Sequence, residues 1–146
     1  MTTDSTRLLK LLERRLDLLG TLTVALQESR NDFVAMDLGG MERRIAEQEQ
    51  LCARIRSLDS EISSVQAHYA GRAASLDDDM NNGEQIRVML RRVSAAQLEL
   101  KRANDAHQAM LRRSRRTVQV LLNVFNSFAP TYSAPASVGS TYEERV

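Results

Sequence analysis

The four residues Asp37-Leu-Gly-Gly40 separate two long runs of regularly spaced apolar residues, and they decide the fold. Asp37 is a good N-cap for a helix that follows it, and the two glycines tolerate the backbone of a tight turn. A connection this short makes the helices on either side of it antiparallel neighbours. The sequence therefore predicts a helical hairpin centred on this turn.

The run before the turn predicts a first helix from about residue 5 to 36, capped by Asp4 or Ser5. Its seam residues alternate spacings of three and four, as in a heptad repeat: Leu9, Leu12, Leu16, Leu19, Thr23, Leu26, Arg30 and Phe33. A second row widens the apolar stripe: Leu8, Leu11, Leu18 and Leu22. A stripe of this width favours a bundle of three or more helices over a two-stranded coiled coil.

The run after the turn predicts a second helix from about residue 38 to 70. Its seam consists of Leu38, Met41, Ile45, Gln48, Cys52, Ile55, Leu58, Ile62, Val65 and Tyr69. The step from Ile55 to Leu58 interrupts the alternation of three and four. We therefore expect the second helix to be locally overwound there.

A third helix, from about residue 84 to 128, shows the most regular pattern of the chain. Its seam is Ile86, Leu90, Val93, Gln97, Leu100, Asn104, His107, Leu111, Ser114, Val118, Leu121, Phe125 and Phe128. The middle of this seam is polar, which can fix register and pairing at some cost in stability. The expected fold is all-α, an antiparallel three-helix bundle or coiled coil with a long third helix.

Residues 71–83 lack a helical pattern and are rich in acidic residues, so we expect a loop. Asp77, Asp79 and Asn81 begin like a calcium loop, but Gly83 falls one place late, and Val88 stands where the bidentate Glu belongs. We predict a solvated loop without a metal. After residue 128 the composition shifts to Pro, Ser, Thr, Ala and Gly, so residues 1–128 form the helical domain and 129–146 a flexible tail.

Composition and motifs give no support for several classes of protein. The 20 basic and 19 acidic residues balance, which gives no argument for nucleic-acid binding. No apolar run reaches the roughly 20 residues that span a bilayer, no signal peptide is recognisable, and Cys52 is the single cysteine, so we expect a soluble cytoplasmic protein. Neither His68 nor His107 accompanies a nucleophile and a carboxylate, so we predict no enzymatic activity, catalytic residue, metal or cofactor.

The helix lengths direct attention to the end of the third helix. The first two helices would each be roughly 48 Å long and the third roughly 67 Å, at 1.5 Å per residue. The third helix would therefore outrun its partners near residue 117, where the most apolar run of the chain begins. Residues 118–128 are apolar on most of the helix circumference, so this end should seek another chain and could fold only on binding.

Four arginines precede the apolar run: Arg112, Arg113, Arg115 and Arg116. The ordinary interpretation is a solvated helix face. The alternatives are electrostatic contact with an acidic partner, with phosphates or with a membrane surface. Arginines without interleaved aromatics are a weak signal for nucleic acid.

The arrangement resembles the FlgN family of flagellar type III export chaperones. The resemblance rests on Leu8-Leu-Lys-Leu-Leu-Glu13, on the turn Phe33-Val-Ala-Met-Asp-Leu-Gly-Gly-Met-Glu42, on Lys101-Arg-Ala-Asn104 with His107, and on the tail Pro130-Thr-Tyr132 with Gly139. It spans nearly the whole chain, and the order and spacing of the motifs carry it.

The resemblance implies a cytoplasmic chaperone that binds the terminal helix of hook-associated (hook–filament junction) proteins, keeps them soluble and delivers them to the export gate. It places client contact on Val118, Leu121, Leu122, Val124, Phe125 and Phe128. It assigns docking on the cytoplasmic domain of the gate to Tyr132, with Tyr142 as the alternative. Two other functions stay open: a structural coiled-coil protein that self-associates through the same segment, and a peripheral membrane protein without stable insertion.

Overall fold

The protein is represented by a computed structural model that describes residues 3–73 and 80–128, with side chains for residues 4–71 and 82–127. Three helices account for these residues: α1 (Thr3–Val34), α2 (Leu38–Ala73) and α3 (Met80–Phe128). The described ranges contain no strand, and the all-α fold class is confirmed. The expected loop at residues 71–83 is shorter, since residues 71–73 and 80–83 are helical. Asp77 and Asp79 lie outside the described residues.

The turn between α1 and α2 uses Asp37 in two ways. The Asp37 amide donates to the Asp32 carbonyl (3.0 Å) and the Met36 amide to the Phe33 carbonyl (3.1 Å), the paired bonds of a Schellman C-cap. The Asp37 side chain then accepts from the Gly40 amide (2.9 Å), which confirms it as the N-cap of α2. Each helix end thereby satisfies some of its unpaired backbone groups.

The residue with left-handed backbone at this turn is Met36, with φ of 57°, and not a glycine. Its conformation ends α1 at Val34, two residues before the predicted end. Gly39 and Gly40 lie in the first turn of α2, and no described glycine has positive φ. Gly40 is the glycine whose lack of a side chain the turn requires, since a Cβ there would lie 2.8 Å from Asp37 Cγ and 3.2 Å from Asp32 Cγ.

Antiparallel pairing of α1 and α2 is visible in their ion pairs. Arg7 pairs with Glu61 at 2.9 Å, near the start of α1, and Arg44 pairs with Glu28 at 2.7 Å, near its end. Arg44 also lies 3.3 Å from Asp32 and 3.1 Å from Glu47. The hydrogen bond to Glu47 is the main cause that raises the pKa of Arg44.

Both leucine rows of α1 contribute to the core, as a wide stripe requires, and Leu9 and Leu16 of the first row are partly buried against it. The core contains six leucines and one alanine of α1, four residues of α2 and two of α3: Leu8, Leu11, Leu12, Leu18, Leu19, Leu22, Ala25, Leu51, Leu58, Ile62, Val65, Ile86 and Val93. At about 25 cal/mol per Å² of apolar surface, burying one such leucine contributes about 1.5–3 kcal/mol. All three helices therefore contribute to one core.

The predicted seam of α2 is wrong in its first half. Leu38 and Ile45 are 72% and 51% exposed, whereas Leu51, which the pattern omitted, is 5% exposed. The observed seam alternates three and four without interruption: Met41, Arg44, Gln48, Leu51, Ile55, Leu58, Ile62, Val65 and Tyr69. The predicted overwinding is therefore not needed. Apolar spacing missed this register because an ion-paired arginine occupies one seam position.

The seam of α3 is likewise displaced by one residue at alternate positions. Leu90 and Gln97 are exposed, and their places are taken by Met89 and Ala96, which pack on the core. Ile86, Val93 and Leu100 belong to both registers and pack as predicted. Two registers that share every second position differ little in apolar content, so the sequence alone did not separate them.

The chain divides into two compact units at Met110–Leu111. The first unit contains α1, α2 and α3 up to residue 110, and it holds the whole buried core. The described part of the second unit is the continuation of α3 from Leu111 to Phe128.

Candidate partner-binding surface

The last part of α3 carries the largest concentration of exposed apolar side chains in the described residues. Six aliphatic or aromatic side chains in residues 118–125 are between 45% and 69% exposed: Val118, Val120, Leu121, Leu122, Val124 and Phe125. We call residues 118–128 the apolar segment. Isolated exposed apolar residues are ordinary, but a contiguous set of this size marks an interaction surface.

The apolar segment has a polar strip along one side. At 100° per residue, Leu122, Val118, Phe125, Leu121, Val124 and Val120 cover about 200° of the circumference. Gln119, Asn123 and Asn126 fill the other side, and the Gln119 amide donates to Asn123 Oδ1 at 3.3 Å. The strip carries amides and no charge. The segment therefore presents a wide apolar surface on one side of the helix and an uncharged polar strip on the other.

Five of the six residues predicted to contact a partner are therefore exposed on one helix: Val118, Leu121, Leu122, Val124 and Phe125. The side chain of Phe128 lies outside the described residues, and so do Tyr132 and Tyr142. Val120 has the same exposure and lies at the edge of the same arc, although the predicted set did not include it.

The four arginines before the apolar segment are all exposed. None of Arg112, Arg113, Arg115 and Arg116 makes an ion pair within the described ranges 3–73 and 80–128. The sequence explains this, because no Asp or Glu occurs between Asp105 and Glu143. The bundle arginines differ, since Arg7, Arg15 and Arg44 each pair with a carboxylate.

A second surface feature lies within the three-helix unit. An open groove of about 730 Å³ has leucines from α1 and α3 on its floor and cationic and amide side chains at its rim. Its lining is Arg15, Leu19, Leu22, Leu26, Gln48, Cys52, Ile55, Arg56, Gln97, Leu100, Lys101 and Asn104. Sequence reasoning did not predict this groove. The only signal in the sequence was the polar middle of α3, which includes Gln97 and Asn104.

The side chain of Arg15, which lines this groove, is held in place by a carboxylate of α2. Its Nε lies 2.6 Å from Asp59 Oδ1, an ion pair that lacks the alignment of a hydrogen bond. With its amide oxygen turned toward Arg15, Gln97 accepts from the guanidinium at 2.9 and 3.1 Å. These contacts hold the guanidinium beside the groove.

The two histidines and the cysteine lie in three different environments. His107 on α3 is half-buried, its Nδ1 has no hydrogen-bond partner, and burial together with the charge of Arg30 lowers the pKa of its imidazole. His68 is exposed, and Cys52 packs half-buried against the core. No three His, Cys, Asp or Glu side chains in the described residues converge as metal ligands.

The sequence model of the FlgN protein family matches residues 1–139, which include all three helices. The chain belongs to the FlgN family. No curated protein and no solved structure matched it. FlgN proteins are flagellar export chaperones that bind flagellar proteins, and the family is not an enzyme family. Within the described residues, no helix combines the length and apolarity needed to cross a membrane.

Proposed function

We propose that this FlgN-family protein is a cytoplasmic chaperone whose apolar segment binds the terminal helix of hook-associated proteins. It keeps these subunits soluble and delivers them to the cytoplasmic domain of the export gate, where Tyr132 docks. The observation that carries the proposal is the row of half-exposed apolar side chains on 118–125. An amphipathic helix laid against them would remove apolar surface of both chains from water.

The energetics are sufficient for such a complex. Six side chains that are about half exposed present on the order of 400 Å² of apolar surface, and burying it contributes on the order of 10 kcal/mol. Ordering the client helix and losing translational freedom consume much of this gain. The remainder suits a chaperone, which must hold its client and later release it.

The two alternatives have less support. Self-association through this segment would add four further arginines and no carboxylate from residues 106–127 of the second copy. A membrane-surface helix usually carries cations along its polar face. Here the face beside the apolar residues consists of Gln119, Asn123 and Asn126. A protein partner therefore fits the segment best.

The first prediction concerns this segment. Leu121→Asp combined with Phe125→Asp should abolish co-purification of a hook-associated protein, because two carboxylates would enter the contact. Helicity measured by circular dichroism should not change, since both side chains are exposed, 51% and 69%.

A matched control is Val24→Asp combined with Val88→Asp, at exposed valines of the three-helix unit (51% and 45%). The control should bind the client like the parent protein. Undiminished binding by the Leu121/Phe125 variant would refute the proposed site, and equal loss in the control would show that added charge alone is responsible.

A further inference from the structure

The charged residues beside the apolar segment are all positive, whereas the rest of the described chain carries charges of both signs. From residue 106 through 127 there are four arginines and no carboxylate. In the bundle, by contrast, some arginines are paired with carboxylates of another helix, as in Arg7–Glu61 and Arg44–Glu28. Four exposed guanidiniums within five residues repel one another, because like charges on neighbouring helix turns are destabilising. Acidic side chains from outside would relieve this repulsion.

The arginines are placed at both edges of the apolar arc. On the helical wheel, Arg113 shares the angular position of Val120 and Val124, at one edge of the arc, and Arg115 shares that of Leu122, at the other, although both arginines lie earlier along the helix. The two guanidiniums are about 160° apart around the axis, and they precede Val118 by about 1.4 turns (Arg113) and about 0.8 turns (Arg115). Arg112 and Arg116 continue the polar strip instead. A helix that covers the arc must therefore pass between Arg113 and Arg115.

We propose that the partner helix carries acidic side chains on both flanks of its apolar stripe, at the end that lies beside Arg113 and Arg115. These ion pairs fix the axial register and the direction of the bound helix, whereas the apolar contact alone would tolerate sliding. The inference rests on the proposed function, because it assigns the chemistry of the partner at the same segment. Both pairs lie at the rim, where charges act mainly on association rate and salt dependence.

Charge also decides between possible occupants. Residues 106–127 of a second copy bring four further arginines and no acid, so this segment cannot supply the complementary charge to itself. An anionic bilayer would attract the arginines, but along residues 118–127 there is no cation to hold the helix flat on it. A helix with acids confined to one end matches cations confined to one end.

The test uses two synthetic helical peptides with the same leucine stripe, one flanked at one end by glutamates and the other by lysines. Affinities for the full chain are measured at about 50 mM and about 500 mM salt, where the screening length falls several-fold. The protein should prefer the glutamate peptide by about tenfold at low salt, and the preference should shrink at high salt.

The decisive variant is Arg113→Glu combined with Arg115→Glu, which should reverse the preference toward the lysine peptide. Arg91→Glu combined with Arg92→Glu, also exposed on α3, is the matched control and should keep the parent preference. Equal affinity of the parent protein for the two peptides, no affinity for either, or an unchanged preference in the Arg113/Arg115 variant overturns the inference.

Two further measurements separate this inference from the proposed function. The Leu121/Phe125 variant should lose both peptides. If it does, and the Arg113/Arg115 charge reversal does not change the peptide preference, the apolar segment remains the binding site. Only the proposed acidic flanks of the partner helix are then refuted. If it binds both peptides like the parent, the site itself is wrong. Binding to vesicles that contain phosphatidylglycerol is the last measurement. If the protein bound these vesicles and neither peptide, the arginines would be contacts for a lipid surface and the inference would be overturned.

Discussion

At the scale of single residues, His107 is the described group whose protonation should influence stability. Burial and the nearby charge of Arg30 lower the pKa of its imidazole below the ordinary 6.5, and Nδ1 has no partner that would stabilise the cation. The unfolded chain therefore takes up a proton at a higher pH than the folded chain. The stabilising contribution is complete above the unfolded pKa and is lost as pH falls through the folded pKa.

We expect His107→Gln to reduce the loss of stability between about pH 7.5 and about pH 5.5. The measurement is the free energy of unfolding in urea at both pH values. His68→Gln, at an exposed histidine, is the matched control. A parent-like pH dependence in the His107 variant would contradict the assignment.

At the scale of helices, the α1–α2 turn rests on the close approach of Gly40 to Asp37. A Cβ at residue 40 would overlap the Asp37 carboxylate and lie 3.2 Å from Asp32 Cγ. Gly40→Ala should therefore displace the N-cap and lower the free energy of unfolding by about 1 kcal/mol. Gly20→Ala, where nothing lies within 4 Å, should raise it by about 0.5–1 kcal/mol because alanine is the better helix former.

Thermal or urea unfolding of the two variants measures both effects. If Gly40→Ala were as stabilising as Gly20→Ala, the Asp37 cap would contribute nothing to the turn.

How much of the helices the sequence could predict depends on what occupies the seam. The leucines of α1 form one unbroken apolar stripe, so its buried face was correctly predicted. Arg44 misled the prediction for α2, because a charged side chain in a seam position becomes recognisable only when Glu28, Asp32 and Glu47 are seen around it. Met36 was missed because left-handed backbone at a helix C-cap is usually supplied by glycine.

At the scale of the whole molecule, the candidate site was predictable from composition and length. The most apolar run of the chain stands at the end of the longest predicted helix, beyond the predicted length of its partners, and the exposure of its side chains agrees with that expectation. The groove beside Asn104 could not be predicted, since the sequence does not reveal how closely three helices approach where their seam is polar. The charge asymmetry was present in the sequence, but its position at both edges of the arc requires the helix.

A separate prediction concerns the proposed delivery step, which we assign to the tail. Tyr132→Ala should leave client co-purification unchanged and weaken binding of the client-loaded protein to the cytoplasmic domain of the export gate. Tyr142→Ala is the matched control within the same tail. The comparison is made by pull-down with the gate domain. If only the Tyr142 variant lost binding, docking would have to be reassigned to that residue.

The exposed side chains of residues 118–125 have a consequence for how long the protein survives in the cell. Quality-control proteases degrade proteins that expose hydrophobic surface, and the rate of degradation rises with the fraction of molecules that expose it. A bound subunit would cover that signal. The turnover of the unoccupied chaperone would then be faster than that of the complex, and its abundance would follow the supply of the subunits it serves.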